Sequence, residues 1–369
     1  MKSIADVMAA HQVIICAGSG GVGKTTSAAA LALYAAQQGR RTIVLTIDPA
    51  RRLADALGLR ELGNEAREVK IKSRGSLSAM MLDQKGAWDK LVERHAPSEE
   101  IRQRILANHF YQHLSQSFAG SQEYMAVEQL AELHSSGRYD AIVVDTPPTR
   151  HALDFLEAPR RIADFLDRQI IRWFVKPYFS AGWATLRTMN RTVGALFRRL
   201  EDATGVSALV EVSDFFTSMA SLFEGFEARV ARVNRLLKSK ETAFVLVASP
   251  DEQVLTEAEY FCRKVTELAV PLRGVVFNRV HRESALELRT VDEDWLRNLV
   301  SRAAGAEHGP ALAETFLNYE TLAQGDNLRV EAFRKQLPRR TALATVPNFE
   351  EDLHDLDGLR RMIPYLVGG

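Results

Sequence analysis

The nine residues Gly18-Ser-Gly-Gly-Val-Gly-Lys-Thr-Thr26 restrict what this 369-residue chain can fold into more than any other stretch. Gly18, Gly23, Lys24 and Thr25 stand at the spacing G-x-x-x-x-G-K-[ST]. The apolar run Val13-Ile-Ile-Cys-Ala17 precedes them, and an Ala/Leu-rich stretch from Thr26 to Gln38 follows. Strand, glycine loop and helix together let backbone N–H groups curl around a phosphate, aided by the partial positive charge of a helix N-terminus. Lys24 is placed to reach β- and γ-phosphates, and the Thr25 hydroxyl to ligate Mg²⁺. Gly18, Ser19, Gly20, Gly21, Val22, Gly23, Lys24, Thr25 and Thr26 are thus the candidate contacts to a nucleoside triphosphate.

Two acidic residues follow at the ends of apolar runs. Arg41 to Ile47 reads as a short buried strand, and Asp48-Pro begins at its carboxyl end, where open α/β sheets place their chemistry. Asp48 suits a helix N-cap, but the phosphate motif upstream favours the orienting of a water at a γ-phosphate. Tyr139-Asp-Ala-Ile-Val-Val-Asp145 is a second buried strand ending in an acid, whose carboxylate would hold the water shell of Mg²⁺. The rigid loop from Thr146 through Pro147 and Pro148 stands where a γ-phosphate sensor would sit.

Further strands are expected at Leu77–Leu82, Thr242–Ala248, Leu272–Phe277 and Thr341–Val346, with helical patterns between them. Strands separated by helices imply parallel pairing. The expected fold class is therefore α/β: a doubly wound, mostly parallel sheet of the P-loop NTPase kind, flanked by helices and carrying a helical insertion subdomain. No repeat or low-complexity linker divides the chain, so one domain over 1–369 is expected, with insertions at 84–133 and 160–240.

The second insertion changes character along its length. Residues 160–200 interleave arginines with aromatics such as Trp173, Phe174 and Trp183. Val212, Phe215, Phe216, Met219, Leu222, Phe223, Phe226, Val230, Val233 and Leu237 then recur at three- and four-residue steps, one apolar face of a long helix. Such a stripe serves as core packing or as a surface for apolar clients. His109 and His113, four apart, lack an obvious acidic third ligand for a metal.

Composition removes several classes. Lys+Arg and Asp+Glu are equal at 47 each, so no nucleic-acid partner is expected. The two cysteines, Cys16 and Cys262, support neither a disulfide framework nor a zinc ribbon. No apolar run approaches the roughly 18 residues of a membrane span. Met1–His11 is not a secretion signal, and a cytoplasmic location is expected.

The motifs together resemble the ArsA family: the arsenite-pump ATPase and relatives that guide tail-anchored membrane proteins, within the deviant-Walker class shared with MinD and ParA. GSGGVGKTT resembles the family's GKGGVGKTT; DPARRLADALG resembles its switch I; DTPPTRHALDFLEAP resembles its switch II. The resemblance implies an ATPase using ATP and Mg²⁺, with Asp48 polarising the attacking water. It implies Thr25 and Asp145 as magnesium residues, Asp55 within switch I, and Thr146, Pro147, Thr149, Arg150 and His151 within switch II. It makes Asn278 the reader of the adenine edge and puts Pro347 and Phe349 in the loop around the adenine. A homodimer or a heterodimer with a related ATPase is implied, as is a hydrophobic or membrane-protein client, with transient membrane contact open.

Ser19 departs from the pattern. The family's signature lysine, which neutralises phosphate charge across a dimer, stands at this position. Arg51, Arg52 and Arg150 occupy places where the family has uncharged residues or histidine, and each is a candidate replacement. A nucleotide-gated interaction protein with little turnover of its own is the alternative, and a ParA/MinD-like positioning ATPase a weaker one. Too few thiols are present for a metalloid site. The tail Leu359–Leu366 is expected to be a docked helix interrupted at Pro364.

Overall fold

The computed structural model describes residues 3–48, 50–117, 121–148, 215, 218, 226–284 and 293–368. Helix α1 (Ile4–Ala10) opens on a capping box, in which Ser3 Oγ accepts from the Asp6 N–H and the Asp6 carboxylate accepts from the Ser3 N–H. Then follow β1 (Val13–Ala17), α2 (Lys24–Gln37), β2 (Arg41–Thr46), α3 (Arg52–Ala56), β3 (Arg67–Val69) and β4 (Ser76–Met81). Helices α4 (Gln84–His95), α5 (Glu99–Ala107), α6 (His109–Ser117) and α7 (Ser121–Ser135) lead to β5 (Ala141–Asp145). The later elements are α8 (Phe226–Lys238), β6 (Thr242–Ala248), α9 (Glu252–Glu267), β7 (Leu272–Val280), α10 (Glu293–Gln336), β8 (Ala342–Pro347) and α11 (Leu356–Val367).

The eight strands form one sheet in the order β3-β4-β2-β5-β1-β6-β7-β8. Every pairing is parallel except β3 with β4. Strands β1, β5 and β6 are buried at every position, because helices cover both faces of the sheet. That double cover is why they read as unbroken apolar runs. On one face α2 and α11 pack through Leu31, Leu359, Met362 and Leu366; on the other, Trp88, Tyr124, Val233 and Phe261 meet the strands. Alanine is the commonest residue of α2, and these small, strongly helix-forming side chains let the helix lie close beneath β2 and β5.

Parallel register is what assembles the site. Cys16 and Thr46 both pair with Asp145, so the carboxyl ends of β1, β2 and β5 finish level. The loops that leave them start side by side.

Three sequence expectations need correction. Strand β3 was not anticipated: three residues with only Val69 buried give too little alternation to read. Strand β7 runs past Phe277 to Val280, including Asn278 and Arg279. Helix α11 continues through Pro364 to Val367. An interior proline costs about 3 kcal/mol, but burying the face of Leu359, Met362, Ile363 and Leu366 contributes about 1.5–3 kcal/mol per side chain. Pro364 falls in the last turn, where little helix remains to be lost.

His109 and His113 are both exposed, and no group of three or more His, Cys, Asp or Glu side chains gathers as a metal cluster among the described residues. Of the apolar stripe, Phe215, Val230, Val233 and Leu237 are core residues, with Phe215 against Phe110 and Tyr111. Segment 160–200 and the other stripe positions before Phe226 lie outside the described residues. No described helix is long and apolar enough to cross a membrane.

Candidate nucleotide site

Between β1 and α2 the chain turns through Gly21 and Gly23 with positive φ, 78° and 88°. Gly23 is the N-cap of α2 and supplies no side-chain cap, so the helix's first N–H groups stay open to a ligand. Two close approaches fix the loop. A Cβ on Gly18 would lie 2.0 Å from the Val247 carbonyl oxygen of β6, and one on Gly23 would lie 2.2 Å from Asn278 Nδ2. Asn278 itself donates to the Val22 carbonyl at 2.9 Å. Strands β6 and β7 thus clamp the loop from beneath.

Lys24 is 8 % exposed and donates to the Ser19 carbonyl at 2.7 Å, curling back over the loop. Burial lowers its pKa; Asp145 and Asp48 oppose that shift, and Arg52 adds to it. Asp145 is fully buried. Burial raises its pKa to about 6, against the hydroxyls of Thr25 and Thr46 and the charge of Lys24. Thr25 Oγ1 donates to Asp145 Oδ2 at 2.7 Å and Thr46 Oγ1 to the same oxygen at 2.9 Å. Asp145 Oδ1 is buried and takes no hydrogen bond from the described residues. An orphaned carboxylate oxygen beside a threonine hydroxyl fits the hard, oxygen-rich surroundings of Mg²⁺.

Asp48 follows from the end of β2. Its N–H donates to Thr46 Oγ1 at 3.2 Å, and its Oδ1 accepts from the Ala50 N–H at 2.9 Å. Asp48 lines a cleft of about 530 Å³ together with Gly20, Gly21, Gly23, Lys24, Thr25 and Thr26. Helix α3 adds Arg52 and Asp55; Thr146 and Pro148 add the start of the proline loop; Asn278, Pro347 and Phe349 close the far end. Thr146 Oγ1 also donates to the Cys16 carbonyl at 2.8 Å, pinning that loop to β1.

Not every expected residue meets the cleft. Gly18 and Val22 do not line it, and Val22 is in the core. Ser19 is 6 % exposed and donates to Glu257 Oε2 on α9 at 2.6 Å. Of the three candidate arginines, Arg52 reaches the cleft and Arg51, the N-cap of α3, does not line it. Pro148 rather than Pro147 lines it. Thr149, Arg150 and His151 lie outside the described residues. Sequence reasoning missed Thr46, Glu257 and Arg279; only the register exposes the first, and nothing local marks the others.

Comparison with known proteins agrees with the geometry. A family profile described as anion-transporting ATPase, of the ArsA type, matches residues 11–297. The chain is 29 % identical over 268 residues to ATPase GET3 of Malassezia globosa, covering 72 % of each chain. It is 27 % identical to ATPase get3 of Schizosaccharomyces japonicus over 72 % of this chain and 74 % of that one. It is also 27 % identical to ATPase ASNA1 homolog 2 of Paramecium tetraurelia, over 72 % and 75 %. With a phosphate loop, two acids and an oriented lysine gathered at the level ends of three parallel strands, the chain is an ATPase that belongs to the ArsA family.

Proposed function

We propose that the chain hydrolyses Mg-ATP and uses the change at the γ-phosphate to move its two switch segments, and through them a dimer partner and a client-binding lobe. The observation that carries this reading is the single Asp145 oxygen shared by Thr25 and Thr46, with the second oxygen left for a ligand. Thr25 and Asp145 would hold the metal. When bound, Mg²⁺ neutralises charge on the β- and γ-phosphate oxygens. Lys24 and the open N–H groups at Gly23 grip the phosphates. Asp48, held by its own turn, orients the water for attack. Arg52 supplies the charge that Ser19 lacks, from within the same chain; Arg150 is the remaining candidate. Asn278, Pro347 and Phe349 receive the adenine.

The client is a hydrophobic or membrane protein segment and the setting cytoplasmic, a reading that rests on the likeness to the targeting branch of the family. The client surface belongs to segments 84–133 and 160–240, excluding Phe215, Val230, Val233 and Leu237, which the core consumes.

The Ser19–Glu257 contact favours a second reading. The loop position that offers a lysine in relatives is occupied within its own chain here, so the missing charge would come from a related partner, and the isolated protein would bind ATP without turning it over. Phosphate release measured over a wide range of protein concentration separates the two. A rate per chain above that of Asp48→Asn supports self-sufficient hydrolysis, and a rise with concentration supports the dimer. ATP binding with turnover no greater than Asp48→Asn at any concentration sinks the first reading.

A further inference from the structure

We propose that Arg279 forms one face of the nucleobase slot, its guanidinium stacked on the purine opposite the ring of Phe349. The inference deepens the reading of the cleft as the ATP site and rests on it. Arg279 has a φ of 60°, in the left-handed region that side-chain-bearing residues rarely enter. It sits where the pairing of β7 with β8 slips register between Phe277 and Val280. A bulge of this kind re-aims a side chain, and here it delivers Arg279 to the lining of the cleft beside Asn278. Such strain persists where the position is used.

The guanidinium makes no hydrogen bond or ion pair with a described residue. Its neighbour is already spent in part: one N–H of the Asn278 amide serves the Val22 carbonyl, leaving Oδ1 and the second N–H to read a base edge. Edge contacts alone leave the faces of a purine uncovered, and a flat cation over the ring supplies a face contact. Phe349, which also lines the cleft, is held edge-on by Tyr365 at 5.8 Å, and the Arg282 guanidinium lies 4.5 Å from the Tyr365 ring centre. That wall is therefore braced, as a stacking surface must be.

Backbone strain and ligand contact make opposite demands on residue 279, and Arg279→Gly tests them together. Glycine relieves the positive φ, so its Tm is expected to equal or exceed that of the unsubstituted protein. Its affinity for ATP, titrated calorimetrically with Mg²⁺ in excess, is expected to fall about fivefold to tenfold. Affinity for inorganic tripolyphosphate should not change. Arg279→Lys keeps the charge without the plane and should recover only part of the loss. The proposal is overturned if Arg279→Gly binds ATP normally, if ATP and tripolyphosphate weaken together, or if lysine restores full affinity. A separate result would remove the parent reading of the slot: unsubstituted protein holding ATP no more tightly than tripolyphosphate.

Discussion

Ser19 Oγ donates a 2.6 Å hydrogen bond to Glu257 Oε2, joining the second position of the phosphate loop to a helix 238 residues further along the chain. Removing the hydroxyl leaves a half-buried carboxylate short of a donor, at a cost of about 1 kcal/mol. Ser19→Ala is therefore expected to lower Tm by about 1–3 °C while ATP affinity stays within about twofold, since backbone N–H groups do the gripping. Scanning calorimetry and ATP titration check both halves. Ser19→Lys should pair with Glu257 and change turnover little; adding Glu257→Ala frees the ammonium, and only the double variant should release phosphate faster than the unsubstituted protein at high concentration.

Asp145 is a buried carboxylate whose negative charge the apoprotein tolerates poorly. Asp145→Asn removes that charge and keeps one acceptor for the threonine hydroxyls, so the apoprotein is expected to melt no lower than the original at pH 7. Turnover should drop by about two orders of magnitude or more, with the dependence on Mg²⁺ concentration flattened. A melting point several degrees lower would mean the carboxylate is structural first.

Asp48 and Arg52 line the cleft, whereas Arg51 does not. Asp48→Asn is expected to retain ATP affinity and lose about 100-fold or more in turnover, as the loss of an orienting acid does. Arg52→Ala should cost about tenfold to 100-fold in turnover, while Arg51→Ala costs less than about twofold. Equal losses at the two arginines would remove the assignment of the missing charge to Arg52.

Arg41 holds Asp140 through backbone and side-chain hydrogen bonds, depressing the Asp140 pKa to about 2. The folded protein thus binds this proton less readily than the unfolded chain. The pair's contribution is present above the ordinary aspartate value near 4 and fades as pH falls toward 2. Because both side chains are largely exposed, it is worth less than about 1 kcal/mol. Asp140→Asn should lower Tm slightly at pH 7, with the difference from wild type vanishing near pH 2.

The site divides cleanly by how far apart its parts lie in the chain. Lys24 and Thr25 are legible from the spacing of the glycine motif, and Asp48 and Asp145 because each closes a short apolar run whose end a parallel sheet brings to the same edge. Thr46 is invisible as a site residue until register sets it opposite Asp145. Glu257 lies on a polar helix and Arg279 near the end of an apolar strand, and their roles depend on tertiary approach and on one backbone bulge. Strand β3 and the proline inside α11 escaped for a related reason: neighbours, rather than local preference, decide both. Asn278 was singled out for the base, and its contact with Val22 adds a second task, bracing the loop.

The missing side chain at Gly18 has a mechanical meaning. The Val247 carbonyl presses into the space a Cβ would need, so β6 acts as a stop against which the phosphate loop rests. The loop's height above the sheet is set by a strand that never meets the ligand. Even a methyl group at position 18 would lift the loop by a good part of a bond length and throw its N–H groups out of aim. Loosening β6 from the opposite face of the sheet would act the same way from below. Defects deep in that strand should therefore surface first as poor ATP retention, in a protein that still looks fully folded.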